Sequence, residues 1–164
     1  MPIVKKTDGW YWGKSGPFPT KTKALQVGQA AHASGFKEEA SMDKNLIGEF
    51  VGTLLHSATI VHFMHLQTQS YSVHKALQKY YESIVDGADT IAEAIQGCTG
   101  ELIAPYPSMF GNPEVEPLDY LTSIRDYVTV TRTDIFPEYS NIQNEIDAVM
   151  TLLDSTIYRL TFLK

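Results

Sequence analysis

Cysteine is almost absent from this chain of 164 residues, because Cys98 is the only one. A single cysteine excludes an internal disulfide framework and a zinc site built on cysteines, and it favours a reducing compartment. The motif Glu-x-x-His, which binds iron inside many helical bundles, occurs nowhere in the sequence. The sequence therefore predicts no di-iron centre of that kind within one chain.

Long uninterrupted apolar runs are also missing. The most apolar segment, residues 46–66, contains Glu49 and three histidines, which are expensive inside a bilayer. At the N-terminus, turn residues follow Lys5 and Lys6 where a signal peptide would be apolar. We therefore expect neither a membrane-spanning helix nor a secretory leader.

Charge is spread unevenly around the formal net value of -6. Residues 1–44 carry +3, with seven lysines against four acids, whereas residues 45–164 carry -9. An acidic body argues against nucleic acid as a partner, since binding to phosphates needs a basic surface.

Residues 1–38 are predicted to form a small N-terminal module. Asp8-Gly9 is a strong hairpin dipeptide, glycines and prolines from Gly13 to Pro19 are predicted to break regular structure, and residues 20–33 fit a short helix ended by Gly35. The module is rich in aromatic residues, which form either a small core or a docking surface for a partner. They are Trp10, Tyr11, Trp12 and Phe18.

Residues 42–164 show helical periodicity throughout, which predicts an all-α four-helix bundle. Small or apolar side chains and one histidine fall on a single face of the first helix; they are Ile47, Val51, Leu54, Ala58, Val61 and His65. A long loop over residues 98–116 separates the second helix from the third. The predicted helices span residues 43–67, 72–96, 117–136 and 137–164.

Four of the five histidines lie between positions 56 and 74. His65 sits at the centre of the apolar face, where a buried imidazole needs a partner, and His62 lies on its shoulder. Histidine is the commonest metal ligand, although isolated histidines usually pack or contact solvent.

A polar stripe runs beside the apolar face of the second helix; it consists of His74, Gln78, Glu82, Asp89 and Glu93. Such a ladder is most often a solvated face, but Asp89 and Glu93 lie one turn apart and can present oxygens to one ion. A stripe outside the core implies that a second subunit completes any metal site, so we expect a two-fold dimer or a larger homo-oligomer.

The segment from Leu46 to Gly97 resembles the first two helices of the mini-ferritins, the DNA-binding proteins from starved cells. The shared pattern is a histidine near the end of one helix, a second at the start of the next, then an acid fifteen residues on and another four later. Here these positions hold His65, His74, Asp89 and Glu93. The resemblance implies an iron site in which the histidines come from one subunit and the acids from its two-fold mate.

Two features depart from the mini-ferritin pattern. The spacing of nine residues between the two histidines is shorter than usual in that family, and Gln78 replaces an acid one turn after His74. An amide is a weaker ligand than a carboxylate. Gln78 is therefore expected to act around the site rather than as a primary ligand, and the same role is expected of His62 and Glu82.

A second resemblance covers most of the chain and points to uncharacterised ferritin-like proteins of tailed bacteriophages. It is carried by the run from His65 to Leu77, by Leu152 to Leu160, and by Asp8-Gly-Trp-Tyr-Trp-Gly. It implies a protein of the host cytoplasm during infection or of the virion, with residues 1–38 contacting virion partners.

Two functions remain open at this point. The first is binding of iron or another divalent metal at an inter-subunit site, with oxidation of ferrous iron as the implied enzymatic activity. The second is a phage structural or assembly role, in which the bundle is a scaffold and the imidazoles and acids form a hydrogen-bonded interface without metal.

Overall fold

The computed structural model describes residues 3–12, 14–33, 43–109, 111 and 114–163. These residues are mostly helical, with five α-helices and a three-stranded sheet. The chain divides into two compact units, Met1–Ser41 and Met42–Lys164. The junction predicted at residues 38–42 lies outside the described residues.

The N-terminal unit is a small sheet with one helix packed on it. Strands β1 (Ile3–Lys6), β2 (Gly9–Trp12) and β3 (Ser15–Phe18) pair antiparallel in that order, and helix α1 (Lys21–Ala33) contacts all three. Trp12 is buried, and its indole lies where a Cβ on Gly28 would be. Trp12 and α1 therefore form part of a small core.

The sheet corrects two predictions. The all-α class was too narrow, and the segment predicted to break regular structure contains β3. Pro17 is tolerated because β3 is an edge strand, and Gly16 adopts a φ of 143° that side chains rarely allow. The predicted Gly13 and Gly35 lie outside the described residues.

The second unit contains the four long helices. They are α2 (Lys44–Gln67), α3 (Tyr71–Thr99), α4 (Pro117–Thr131) and α5 (Ser140–Phe162). Asp43 caps α2 by accepting hydrogen bonds from two backbone N–H groups, and Ser70 caps α3 in the same way from Val73. Helix α3 extends beyond the predicted end at residue 96, to Thr99, and Gly100, with a φ of 70°, forms its left-handed cap.

The helices pack in a closed order. Helix α2 contacts α3, α3 contacts α5, α5 contacts α4, and α4 contacts α2. Five of the six side chains predicted on the α2 face are buried, and Ala58 is half-buried. Large apolar residues fill the interior; among them are Phe50, Leu54, Tyr80, Ile84, Leu121 and Ile146.

The loop after α3 lies across the first half of α2. Ile103 is buried. The carbonyl oxygen of Pro105 lies where a side chain on Gly48 would be, and the ring of Pro107 lies close to where a Cβ on Gly52 would be. The two glycines allow this close approach because they have no side chains. The loop is thereby held against the helix that ends at the histidines.

Helix α2 is long and apolar enough, by length and composition, to cross a membrane, and among the described residues it alone meets that test. Half of its most apolar window is buried inside the protein, and core helices of soluble proteins meet the same test. The finding is therefore weak support for a membrane span.

Candidate metal centre

Two imidazoles meet where α2 ends and α3 begins. The rings of His65 and His74 stack with centroids 3.7 Å apart and planes inclined by 26°. Nδ1–H of His65 donates to the carbonyl oxygen of His74 (2.9 Å), and Nδ1–H of His74 donates to that of His65 (3.2 Å). The buried imidazole of His65 thus has the partner that its position required.

The short turn between the helices brings these rings together. Only Thr68, Gln69 and Ser70 separate α2 from α3, so the two helices return side by side and contact each other extensively. The backbone N–H of Thr68 donates to the carbonyl oxygen of Met64 at the end of α2. The backbone N–H of His74 donates to the carbonyl oxygen of Ser70 at the start of α3. Both histidines therefore stand on hydrogen-bonded helical backbone rather than on a free loop.

The reciprocal hydrogen bonds determine the tautomer of each ring. A carbonyl oxygen only accepts, so each Nδ1 must carry the hydrogen, and the neutral ring keeps its lone pair on Nε2. Neither Nε2 has a hydrogen-bond partner in the described part of the chain. Histidine ligands in metal sites are held in this way, with the second nitrogen donating to a carbonyl group.

Two more rings contact this pair. The ring of His62 stacks on that of Tyr81 with centroids 4.2 Å apart, and Tyr81 meets the ring of His65 edge-on at 5.2 Å. The centroids of His62 and His65 are 5.7 Å apart. Three imidazoles and one phenol therefore form a continuous cluster on one chain.

Gln78 and Glu82 belong to a surface chain of hydrogen bonds. The ammonium of Lys75 donates to Gln78 Oε1 (2.6 Å), and the amide of Gln78 donates to Glu82 Oε1 (2.8 Å). The amide oxygen of Gln78 thus accepts a hydrogen bond from a cationic side chain.

Asp89 and Glu93 do not join the histidines within one chain. Both are exposed on α3, and His74 is fifteen residues from Asp89, which is about 22 Å along a helix. Across the described residues, no three His, Cys, Asp or Glu side chains are placed to hold one metal ion.

The interior of the helical unit holds no carboxylate among its described residues. Its buried polar side chains are Ser57, His65, Thr131 and Thr156. Ser57 Oγ donates to the Leu54 carbonyl (2.6 Å) and lies 2.8 Å from the hydroxyl of Tyr80. A hydroxyl pair therefore occupies the middle of the bundle, and the described interior offers no carboxylate ligand for an iron centre.

A cavity of about 560 Å³ lies near the same end of the helical unit. Its lining includes the apolar side chains of Met64, Val73, Leu118 and Leu160 and the acidic residues Glu116 and Asp119. Neither His65 nor His74 lines it. The cavity is thus adjacent to the histidines along the chain but separate from their rings.

Tyr81 is the member of the cluster that sequence reasoning missed. It lies seven residues after His74, on the same side of α3. That spacing was a usable signal, since residues seven apart share a helix face.

The comparisons with known proteins add a family. A family described as being of unknown function, DUF5856, matches residues 65–160, which is more than half of the chain. The matched region begins at His65 and includes the whole of α3 and α4. No curated protein and no solved structure matches the chain.

Proposed function

We propose that this chain, which belongs to the DUF5856 family, binds iron or a similar divalent metal at a site shared by two copies. His65 and His74 of one copy supply imidazole nitrogens, and Asp89 and Glu93 of the other supply carboxylates. The observation that carries the proposal is the reciprocal bonding of His65 and His74 through Nδ1, which leaves both Nε2 lone pairs available.

The proposed fold of the helical unit is a ferritin-like four-helix bundle. The closed order of contacts among the four helices and the long connection between α3 and α4 support it. The proposal differs from a ferritin with an internal centre, because the described interior has no carboxylates.

The stacked rings bind separate ions under this proposal. Their centroids are 3.7 Å apart, which is too close for both rings to bind one ion. Each imidazole therefore holds its own ion, and the carboxylates of the second copy complete the ligands of the two.

The charges along α3 favour the second copy as the source of those carboxylates. Exposed lysines, Lys75 and Lys79, lie in the first third of the helix, and exposed acids follow towards its end. An antiparallel pairing of two α3 helices brings the basic third of each against the acidic part of the other. A two-fold axis crossing between residues 81 and 82 then brings His74 opposite Asp89.

Oxidation of ferrous iron is the reaction that the mini-ferritin resemblance adds. Two ferrous ions, the substrate, each lose one electron, and one hydrogen peroxide takes up both electrons and two protons to form two water molecules. The protein's part is to hold two ions near each other with imidazole nitrogens and carboxylate oxygens, donors that iron accepts.

The second candidate is a phage structural or assembly role without metal, in the virion or in the host cytoplasm. One observation favours it: both Nδ1 atoms are hydrogen-bonded within the chain, so the rings are held in place without an ion. Under this proposal the polar stripe on α3 is an interface between copies, and the N-terminal unit contacts virion partners.

Calorimetry with ferrous ion under anaerobic conditions, and with zinc, separates the two candidates. We expect one or two ions per chain, and we expect His74→Ala and Asp89→Ala each to weaken binding severely, since each removes a ligand. Glu138→Gln, an exposed change outside α3, is the control. No binding by the unaltered protein would favour the scaffold.

A further inference from the structure

We propose that His62 is a third metal-binding imidazole of this centre, and that it shares one ion with His65 of the same chain. This inference rests on the proposed function. It extends that function because neither the polar stripe of α3 nor the carboxylates of a second copy requires a third histidine. The juxtaposition that carries it is the cluster of His62, His65 and Tyr81.

The ring separations distinguish rings that can share an ion from rings that cannot. A zinc–nitrogen bond of about 2.0–2.1 Å places the ion roughly 3.2 Å from the centre of an imidazole ring. Two rings on one tetrahedral ion then have centroids about 5.2 Å apart, and about 4.5 Å apart at a right angle.

The rings of His65 and His74, at 3.7 Å, are too close to bind the same ion as they stand. The rings of His62 and His65, at 5.7 Å, need to approach by only a few tenths of an ångström. Among the three imidazoles of the cluster, the position of His62 therefore suits an ion held by His65, whereas that of His74 suits a neighbouring ion.

His62 is also free to make the adjustment. Its side chain is exposed, and in the described part of the chain its ring nitrogens have no hydrogen-bond partner. Its position three residues before His65 places both side chains on one helix face. Exposed side chains change rotamer within nanoseconds, so the ring of His62 can leave its stack on Tyr81 and approach His65.

Tyr81 is a positioning residue in this arrangement. Its ring lies flat against His62, with planes 11° apart, and edge-on to His65. The phenol thus holds the His62 ring beside the centre, and metal binding draws that ring towards His65. A third neutral imidazole also compensates for the donor missing at Gln78, since imidazole nitrogen suits zinc, copper, iron and nickel alike.

Zinc calorimetry on the full chain tests the inference, with His62→Ala as the variant. We expect the affinity for at least one zinc ion to fall on the order of 100-fold, because one ligand of that ion is lost. His56→Ala is the matched control: it removes an imidazole from the same helix, outside the cluster, and should leave affinity unchanged.

Nitrogen-15 spectra of the histidine rings give a second readout that does not depend on affinity. On addition of zinc, a ring nitrogen of His62 should shift to the position of a metal-bound nitrogen, while those of His56 stay in place. Tyr81→Leu should leave the bound spectrum of His62 unchanged but alter its metal-free spectrum.

The outcomes separate the inference from the proposed function. Loss of affinity in His65→Ala and His74→Ala with none in His62→Ala would overturn the inference and leave the proposed function standing. An unshifted His62 ring in the zinc-bound protein would also overturn it. Absence of zinc binding by the unaltered protein would overturn both.

Discussion

Polar side chains inside the helical unit are few, and the hydroxyl pair of Ser57 and Tyr80 is the most deeply buried of their contacts. Ser57 donates to the carbonyl of Leu54, so the hydrogen between the two hydroxyls comes from Tyr80. Burial raises the pKa of Tyr80 well above its usual value near 10, so the phenol stays a donor at neutral pH. Removing its acceptor leaves a buried donor unpaired.

Ser57→Ala should therefore lower the free energy of unfolding by more than the loss of the Tyr80 hydroxyl does in Tyr80→Phe. A buried donor without a partner costs about 1–3 kcal/mol, whereas removing both hydroxyls is close to neutral. Urea unfolding of both single variants and of the double variant measures the difference. Equal and additive losses would show that the two hydroxyls do not depend on each other.

Single residues of the centre could be predicted to different extents from the sequence. The apolar face of the first predicted helix correctly indicated that His65 is buried, because burial follows helical periodicity. The stack of His65 on His74 and their reciprocal bonds depend on the path of a three-residue turn, which periodicity does not define. The place of Tyr81 between two imidazoles depends on the same turn.

At the scale of elements, the contact between α2 and the loop after α3 depends on glycine. Gly48 and Gly52 lie one turn apart on α2, and the segment from Pro105 to Pro107 occupies the space above them. Gly97, on the exposed side of α3, has nothing near its Cβ position. The same substitution should therefore have opposite effects at Gly48 and Gly97.

Gly48→Ala should destabilise the protein by about 1–3 kcal/mol, because the new methyl group meets the carbonyl oxygen of Pro105. Gly97→Ala should stabilise it by about 0.5 kcal/mol, because alanine is the better helix former and nothing obstructs it. Thermal unfolding monitored by circular dichroism compares the two. A stabilising Gly48→Ala would show that the loop does not lie on α2 in solution.

Element boundaries followed from the sequence where a local signal was sufficient. Asp43 and Pro117 mark helix starts because a cap and a first-turn proline act within a few residues. β3 was missed because the pairing partner of an edge strand comes from another segment, and Pro17 alone predicts a break. The predicted end of the second helix at residue 96 was three residues short, because Gly97 and Gly100 are both possible caps and only the backbone shows that Gly100 adopts the positive φ.

At the scale of the whole molecule, the two units differ in charge. The exposed lysines of the N-terminal unit include Lys5 and Lys6, whose ammonium groups lie over the rings of Trp10 and Tyr11 at 5.6 and 4.4 Å. The remainder of the chain is strongly acidic. Lysines engaged with aromatic rings are less available to phosphate groups, which favours a protein partner for this unit.

Removal of residues 1–38 should therefore change assembly more than affinity for DNA. A gel shift at about 150 mM salt, where a few net charges hold DNA only weakly, measures the second property. Light scattering of the full and shortened chains measures the first. Tight DNA binding by the full chain, lost on truncation with assembly unchanged, would contradict the expectation.

The central claim is that imidazoles of one copy and carboxylates of another form one centre. Mixing two defective variants, refolded together, tests it directly. A chain with His74→Ala and a chain with Asp89→Ala have no complete site alone, but a mixed dimer has one complete site and one that lacks both groups. With random pairing, zinc capacity should recover to about a quarter of that of the unaltered protein.

The measurement is zinc stoichiometry by calorimetry on the mixture, beside each variant alone. A mixture that binds about a quarter of the normal amount with normal affinity, while the separate variants do not bind, is the predicted result. A mixture that binds no more than the average of the two separate variants would contradict a shared centre, because sites within one chain cannot complement each other.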